Sequence, residues 1–312
     1  MSNENTLKPA VPMGAAPNGP KPAIRKLGRM RLFDYANYAV IIILCACFLY
    51  PLILTFSISV SKPTYGEIIY FLPKGFKLDS YLFLLNDSRL MRYYSNSVLY
   101  AVSSTVLFLF LTSMMAYPFI IPDFKGKKFL NIFMVVTMFF GGGLIPYYFV
   151  IRSLKMLDTV WVMIIPGVVG AYNVIIFRTF FTSIPTELRE SAYIDGAGHF
   201  TTLFRIIAPV SKPLLATFAL FNLVGKWNDF FSALMFLRSD ALMPMQMLLR
   251  KMLVLYDFRE GENRDLQLIY TAVSSRSMKC AAVVITILPI LCVYPFLQKY
   301  FAKGVMVGSL KS

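Results

Sequence analysis

Along the chain, long apolar runs alternate with short polar segments, and the runs set the architecture. Tyr35 to Ser61, Tyr93 to Pro122, Phe129 to Ile151, Thr159 to Phe177 and Cys280 to Gln298 contain no Asp, Glu, Lys or Arg. A sixth run, Pro213 to Leu237, is interrupted only by Lys226 and Asp229. About twenty helical residues cross the roughly 30 Å hydrocarbon core of a bilayer, so each run is of spanning length. Only helices and closed barrels satisfy their backbone in lipid, and the strict alternation of a barrel is missing. The pattern therefore predicts an all-α polytopic membrane protein with six transmembrane helices.

The punctuation inside the runs adds detail. The third contains Gly141, Gly142 and Gly143 followed by Leu144, Ile145 and Pro146. Helix continuity is expected to fail there, making a pliable hinge, whereas close packing of neighbouring helices is the plainer use of such small residues. The fifth run carries the ionisable residues Lys226 and Asp229 beside Trp227 and Asn228, with Asn222 one to two turns below. Ionisable groups within a span are costly and usually face a cavity or a partner. Lys226 and Asp229 either neutralise one another at i, i+3 or line a path with Trp227 and Asn228, whose aromatic face and amide suit a sugar ring and its hydroxyls.

Composition narrows the chemistry. The apolar fraction is 57% and the net charge +15, but the basic residues are spread over loops, not gathered in a stripe with interleaved aromatics, so nucleic acid is not expected as a partner. Membrane lipid is. Arg25, Lys26, Arg29 and Arg31 precede the first run and favour a cytoplasmic N-terminus, and six spans then return the C-terminus to the same side. Residues 1 to 30 are poor in large apolar side chains and read as a disordered cytoplasmic tail before a membrane domain at 31 to 312. A cleaved signal peptide is not expected, since the first run is too long for a signal core. All four cysteines lie within predicted spans and the chain has one histidine, His199, so no metal site is expected. No glycine segment has the Lys and Ser or Thr of a phosphate-cradling loop, and no span holds a carboxylate pair, so neither bound ATP nor catalysis is expected of this chain.

One polar segment is unlike the others. Residues 187 to 213, ELRESAYIDGAGHFTTLFRIIAPVSKP, begin with charge, turn at Gly196 and continue with Phe200, Leu203, Phe204 and Ile207 at helical spacing. Pro185 suits a first helical turn, Gly196 a left-handed cap, and Pro209 and Pro213 are expected to stop the second helix. Two short helices at about a right angle are predicted. An amphipathic loop resting on headgroups is one use, although Glu187, Glu190 and Asp195 suit anionic lipid poorly.

The segment closely resembles the EAA loop of binding-protein-dependent ABC import permeases. Glu190, Ser191 and Ala192 stand at the E-A-A positions, with serine as the one departure, Asp195, Gly196 and Ala197 at D-G-A, and Pro209 at the late proline. The stretches GGGLIPYY, FRTFFTSIPTELRE, KWNDFFSAL and QKYFAKGVMVGSLK resemble the carbohydrate-uptake, maltose-type permeases, specifically the LplC/YtcP-like subset. The resemblance implies a type I importer permease (MetI-like) fold in the bacterial inner membrane. It implies a second homologous permease subunit, two ATPase subunits that bind ATP and Mg, and an extracytoplasmic solute-binding protein delivering a sugar or oligosaccharide. Loop 185 to 213 would couple to an ATPase subunit through Glu190, Ala192, Asp195, Gly196, Ala197, Phe200, Leu203, Phe204, Ile207 and Pro209. The tail from Gly304 would reach the ATPase pair, and the outer loop 257 to 265 would meet the binding protein. A type I permease for peptides, amino acids or polyamines is the alternative.

Overall fold

The computed structural model describes residues 32–61, 72, 73, 75–255 and 275–309. The expected tail, residues 1 to 30, and the loop 257 to 265 lie outside the described residues. The chain divides into two compact units, Met1–Pro51 and Leu52–Ser312. The first is described by most of helix α1 (Leu32–Ser59), whose apolar side chains face outward, Phe33 and Phe48 being 76% and 75% exposed. Such a surface suits a hydrocarbon solvent.

The second unit is organised around α3 (Ser88–Ala116), which continues as a 3-10 turn to Ile120. Asp87 starts α3 by accepting a hydrogen bond from the Arg89 amide at 2.9 Å, the usual work of an N-cap aspartate. A short helix, α2 (Asp79–Asn86), precedes it. After α3 come α4 (Lys127–Phe139), α5 (Leu144–Ser153), α6 (Trp161–Ile164), α7 (Ala171–Thr182) and α8 (Glu187–Ile194). They are followed by α9 (His199–Val210), α10 (Lys212–Trp227), α11 (Phe231–Phe236), α12 (Met245–Arg250) and α13 (Ser275–Ser309).

Two apolar cores form at opposite ends of α3. Leu90, Tyr93 and Tyr100 pack with Val162, Phe236, Met245, Leu248 and Ala281. Phe108, Ala116 and Tyr117 pack with Phe177, Phe181, Leu203, Ile207 and Leu214. In the second core Phe177 meets Phe218 edge-on at 5.1 Å and Phe108 at 6.2 Å, a geometry that aromatic quadrupoles favour. Between the cores the chain turns polar, with Thr105 Oγ1 donating to Asn222 Oδ1 at 3.1 Å.

Among the described residues three helices are long and apolar enough to cross a membrane, Phe33–Ser59, Ser88–Ile120 and Arg276–Pro295, and there are up to five such spans if two bent pairs each count as one. The remaining apolar runs are interrupted. The run Thr159 to Phe177 is expected as one helix but divides into α6 and the start of α7, with Gly167 at φ +72° between them. Pro166 removes a helical donor and Gly167 adopts a left-handed turn, which together end α6 after four residues. By length and composition, this divided run does not qualify as a span.

A loop pair closes the end of the unit where α3 begins. Asp158, itself left-handed at φ 55°, accepts hydrogen bonds from the Arg238 and Ser239 amides at 2.8 Å each. These amides hold its carboxyl below the usual carboxylate range. Asn96 and Tyr100 of α3 donate to the carbonyls of Ala241, Met243 and Leu242. Asp240 accepts from Lys251 at 2.7 Å and from the Tyr93 hydroxyl, and these donors lower its pKa too. A depressed carboxyl contributes stability above its unfolded-state pKa and loses it as pH falls through the folded value. Asp158→Ala should therefore lower the melting temperature of the purified protein at pH 7, and the deficit should shrink on acidification below the carboxylate range. A deficit independent of pH would exclude the carboxylate as its source.

Candidate functional site

The 187–210 segment forms two helices joined by a defined turn. The Ala197 amide donates to the Ala192 carbonyl at 2.8 Å and the Gly196 amide to Tyr193 at 3.0 Å, with Gly196 at φ +78°. This is a Schellman closure, which puts glycine at the left-handed position. Glu187, Glu190 and Asp195 are all exposed, Ile194 is 86% exposed and Phe200 65% exposed. Acidic and apolar groups thus share one outward surface around the turn.

The four apolar residues of α9 do not act together. Phe200 and Phe204 reach the surface, whereas Leu203 and Ile207 are fully buried in the core at the end of α3. The reason is a wide, π-helical stretch, Thr202–Ile207, which alters the spacing of side chains around the axis. The expected protruding ridge of all four residues is therefore corrected: two are held by the protein's own core. Ala192 is buried as well.

The same stretch explains Pro209, which is expected to stop the helix and instead lies inside it. A proline ring normally clashes with the carbonyl four residues earlier, and a preceding π turn displaces that carbonyl. The helix ends one residue later, at Val210, and α9 and α10 meet at 85° across Ser211. Pro213 then sits in the first turn of α10, where its missing N–H costs nothing.

The mid-span residues are placed differently from the path expected of them. Lys226 does not bond to Asp229. Its Nζ donates to the carbonyls of Met163 and Pro166 at 3.2 and 3.4 Å, the end of α6 and the break after it. Asp229 instead accepts from the Ser232 amide at 3.0 Å and caps α11. Trp227 is 3% exposed, donates from Nε1 to the Thr286 carbonyl at 3.0 Å and meets Tyr94 edge-on at 5.5 Å. In this structure Trp227 packs between α10 and α13, with its indole face covered. Asn228 is exposed and accepts from Gln246 Nε2 at 3.1 Å, and Asn222 is held by Thr105. Of the five candidates, Asn228 is exposed, Asn222, Lys226 and Asp229 are half-buried, and Trp227 is buried.

The glycine break stands where the sequence puts it. Helix α4 ends at Phe139, Phe140 to Gly143 are non-helical, and α5 leaves at 117° to α4. Gly143, at φ +79°, permits that corner. Gly142, Gly143, Leu144, Pro146, Tyr147 and Val150 line an open apolar hollow of about 550 Å³. Among the described residues no cluster of His, Cys, Asp and Glu could hold a metal ion.

Sequence reasoning missed the contacts that tie this segment to α3. Arg189 Nη1 donates to the Ile120 carbonyl at 2.6 Å, and the Tyr193 and Tyr117 hydroxyls share a hydrogen bond of 2.9 Å. The Tyr193 hydroxyl is also 3.1 Å from His199 Nδ1, across the Gly196 turn. A tyrosine, an arginine and the chain's one histidine within eleven residues was the available signal.

A family model described as binding-protein-dependent transport system inner membrane component matches residues 89–307. The chain is 39% identical to Protein LplC of Bacillus subtilis (strain 168) over 285 residues, covering 90% of this chain and 95% of LplC. It is 35% identical to the polygalacturonan/rhamnogalacturonan transport system permease protein YtcP of the same strain, over 90% of this chain and 99% of YtcP. A chain in the crystal structure of a bacterial ABC transporter involved in the import of the acidic polysaccharide alginate superposes with a TM-score of 0.80 at 31% identity. That match covers 87% of this chain and 97% of the other.

The Lys226 geometry yields a direct test. Lys226→Met removes two charge-assisted donors from carbonyls freed by the break after α6 and should destabilise the protein by about 1–3 kcal/mol. Thermal unfolding in detergent measures this, and an unchanged midpoint would show that the carbonyls are satisfied without it.

Proposed function

This chain belongs to the family of binding-protein-dependent transport system inner membrane components, and we infer from that membership how it works. It is a multi-pass inner-membrane permease subunit of an ABC importer for sugars or oligosaccharides, assembling with a periplasmic binding protein. It is not an enzyme. ATP and Mg are bound by two partner ATPase subunits, and a second homologous permease completes the pore.

The observation that carries the coupling role is the surface at 187–210. Ile194 and Phe200 offer apolar anchors beside Glu190 and Asp195, an arrangement suited to a groove lined by apolar and basic groups on another subunit. Phe204 extends that surface, while Leu203, Ile207 and Ala192 hold it in shape from behind. Gly196, Ala197 and Pro209 fix its turn and its exit.

Six spans with both termini cytoplasmic is the topology that fits this reading. It takes α6 and α7 together as one interrupted span, alongside the three long helices and the two bent pairs. The Gly141–Pro146 corner lies in one of those pairs and is suited to bend as the importer alternates its access. YtcP is named for a polygalacturonan/rhamnogalacturonan transport system and the solved importer for import of the acidic polysaccharide alginate, so acidic oligosaccharides are the first cargo to screen.

Purification from its bacterial host on a tag carried by this chain tests the assignment. An ATPase subunit and a second permease should co-elute, and the reconstituted importer with its binding protein should take up oligosaccharide when ATP is supplied. Peptide or polyamine uptake without sugar uptake would overturn the cargo class. Phe200→Asp and Glu190→Lys should each leave membrane insertion intact while lowering ATPase recovery about tenfold or more, the scale of losing an anchor residue at an interface. Leu203→Ala should instead lower the protein's own stability, by about 2–5 kcal/mol.

A further inference from the structure

Several side chains of the 187–210 segment bond or stack against one helix that it does not adjoin in sequence. Arg189 reaches the Ile120 carbonyl just past α3, and Tyr193 meets Tyr117. His199 joins the same cluster, with its ring edge-on to Tyr117 at 6.1 Å and to Tyr193 at 5.6 Å. Further along, Phe204 stacks on Phe110 at 5.4 Å with the rings 12° apart. Covalently the segment leaves by two other routes, back through residues 183–186 into α7 and through the 85° corner at Ser211 into α10.

We propose that Arg189, Tyr193 and His199 are positioning residues that carry movement of the coupling segment into α3, by a route separate from the covalent one into α10. The proposal rests on the coupling role assigned above. The physical case concerns stiffness. An 85° corner transmits a push along α9 poorly to α10, because the two axes share almost no direction. The Arg189 guanidinium and the Tyr193 hydroxyl, bonded side by side to the Ile120 carbonyl and the Tyr117 hydroxyl, resist sliding, and the Tyr193–His199 contact ties α8 to α9 across the Gly196 turn. Arg189 is well suited to its part, since its planar fork holds a carbonyl in a set direction while its stem packs. The core behind the cluster, Phe108, Phe177, Leu203 and Ile207, is tightly buried and moves with it as a body.

Sequence position supports the division of labour. Arg189 and Tyr193 lie on α8, four residues apart and so on one face of the helix, which is the face turned to α3. Glu187, Glu190 and Asp195 are exposed and left to a partner. One short helix thus presents charge outward and a bonding pair inward.

The test uses the complex purified on this chain, with Cys45, Cys47, Cys280 and Cys292 replaced by alanine. A nitroxide is placed either at Met115→Cys, near the end of α3, or at Phe221→Cys in α10. Accessibility of each label to a water-soluble relaxant is measured without nucleotide and after trapping with MgATP and vanadate. In the parent both labels should respond. Arg189→Ala, Tyr193→Phe and His199→Phe should retain the ATPase subunit, preserve the response at Phe221→Cys and reduce that at Met115→Cys severalfold. His199→Asn, which keeps an acceptor close to the Nδ1 position, should restore it. An unaltered Met115→Cys response in all three variants overturns the inference while leaving the coupling role standing. Equal loss at both positions also overturns it, because the route to α3 would then not be separate. If the parent complex contains no ATPase subunit, the functional reading falls and the inference with it.

Discussion

A backbone amide or carbonyl freed inside an apolar layer must find a partner, and most of this structure is the set of solutions to that demand. Interrupting a helix in lipid costs several kcal/mol for each group left unpaired. This chain supplies a side chain at a break within one apolar run and at the irregular loops between runs. Lys226 takes the carbonyls after α6, Asn96 and Tyr100 take those at 241–243, and Asp158 takes two amides of the same loop. Polar residues that look like candidates for solute recognition are thus largely employed in making irregular backbone tolerable.

That explains what was legible in the sequence and what was not. Charge-free length identifies α1, α3 and α13, because apolar length is the property a bilayer selects. The Gly141–Gly143 corner is equally legible, since three glycines in a row cannot hold a helix against a left-handed alternative. The segment at 187–210 is recognisable from its own residues, and its turn at Gly196 follows from local chemistry alone. What sequence could not supply was partnership over distance. Lys226 and Asp229 stand three apart and look paired, yet Lys226 bonds some sixty residues away and Asp229 caps the next helix. Trp227 likewise resembles a binding residue, but its neighbours Tyr94 and Thr286 come from other helices. Helical periodicity also misassigns Leu203 and Ile207, because it presumes a regular turn where the structure has a wider one.

The proposed coupling surface and the core behind it are made from the same few residues. Phe200 and Phe204 face out, Leu203 and Ile207 face in, and the π-helical stretch decides which does which. Arg189 and Tyr193 make a similar division on α8. A segment of about twenty residues is thereby both the proposed docking surface and a part of the core at the end of α3, which ties its position to that core. That is a requirement for passing mechanical work between subunits, and it is met by hydrogen bonds and packed rings without any long-range charge.

The 117° corner has a consequence for how the protein is made. Helix α4 has 13 residues and α5 has 10, so they measure about 20 and 15 Å, each short of a bilayer core. Neither half could be recognised as membrane-spanning by itself during synthesis. The charge-free stretch Phe129 to Ile151 is long enough only while it is straight. Counted as one span, the pair has a corner that is packed by Tyr147 and Tyr148 against Phe236, so its bent form depends on a segment translated some ninety residues later.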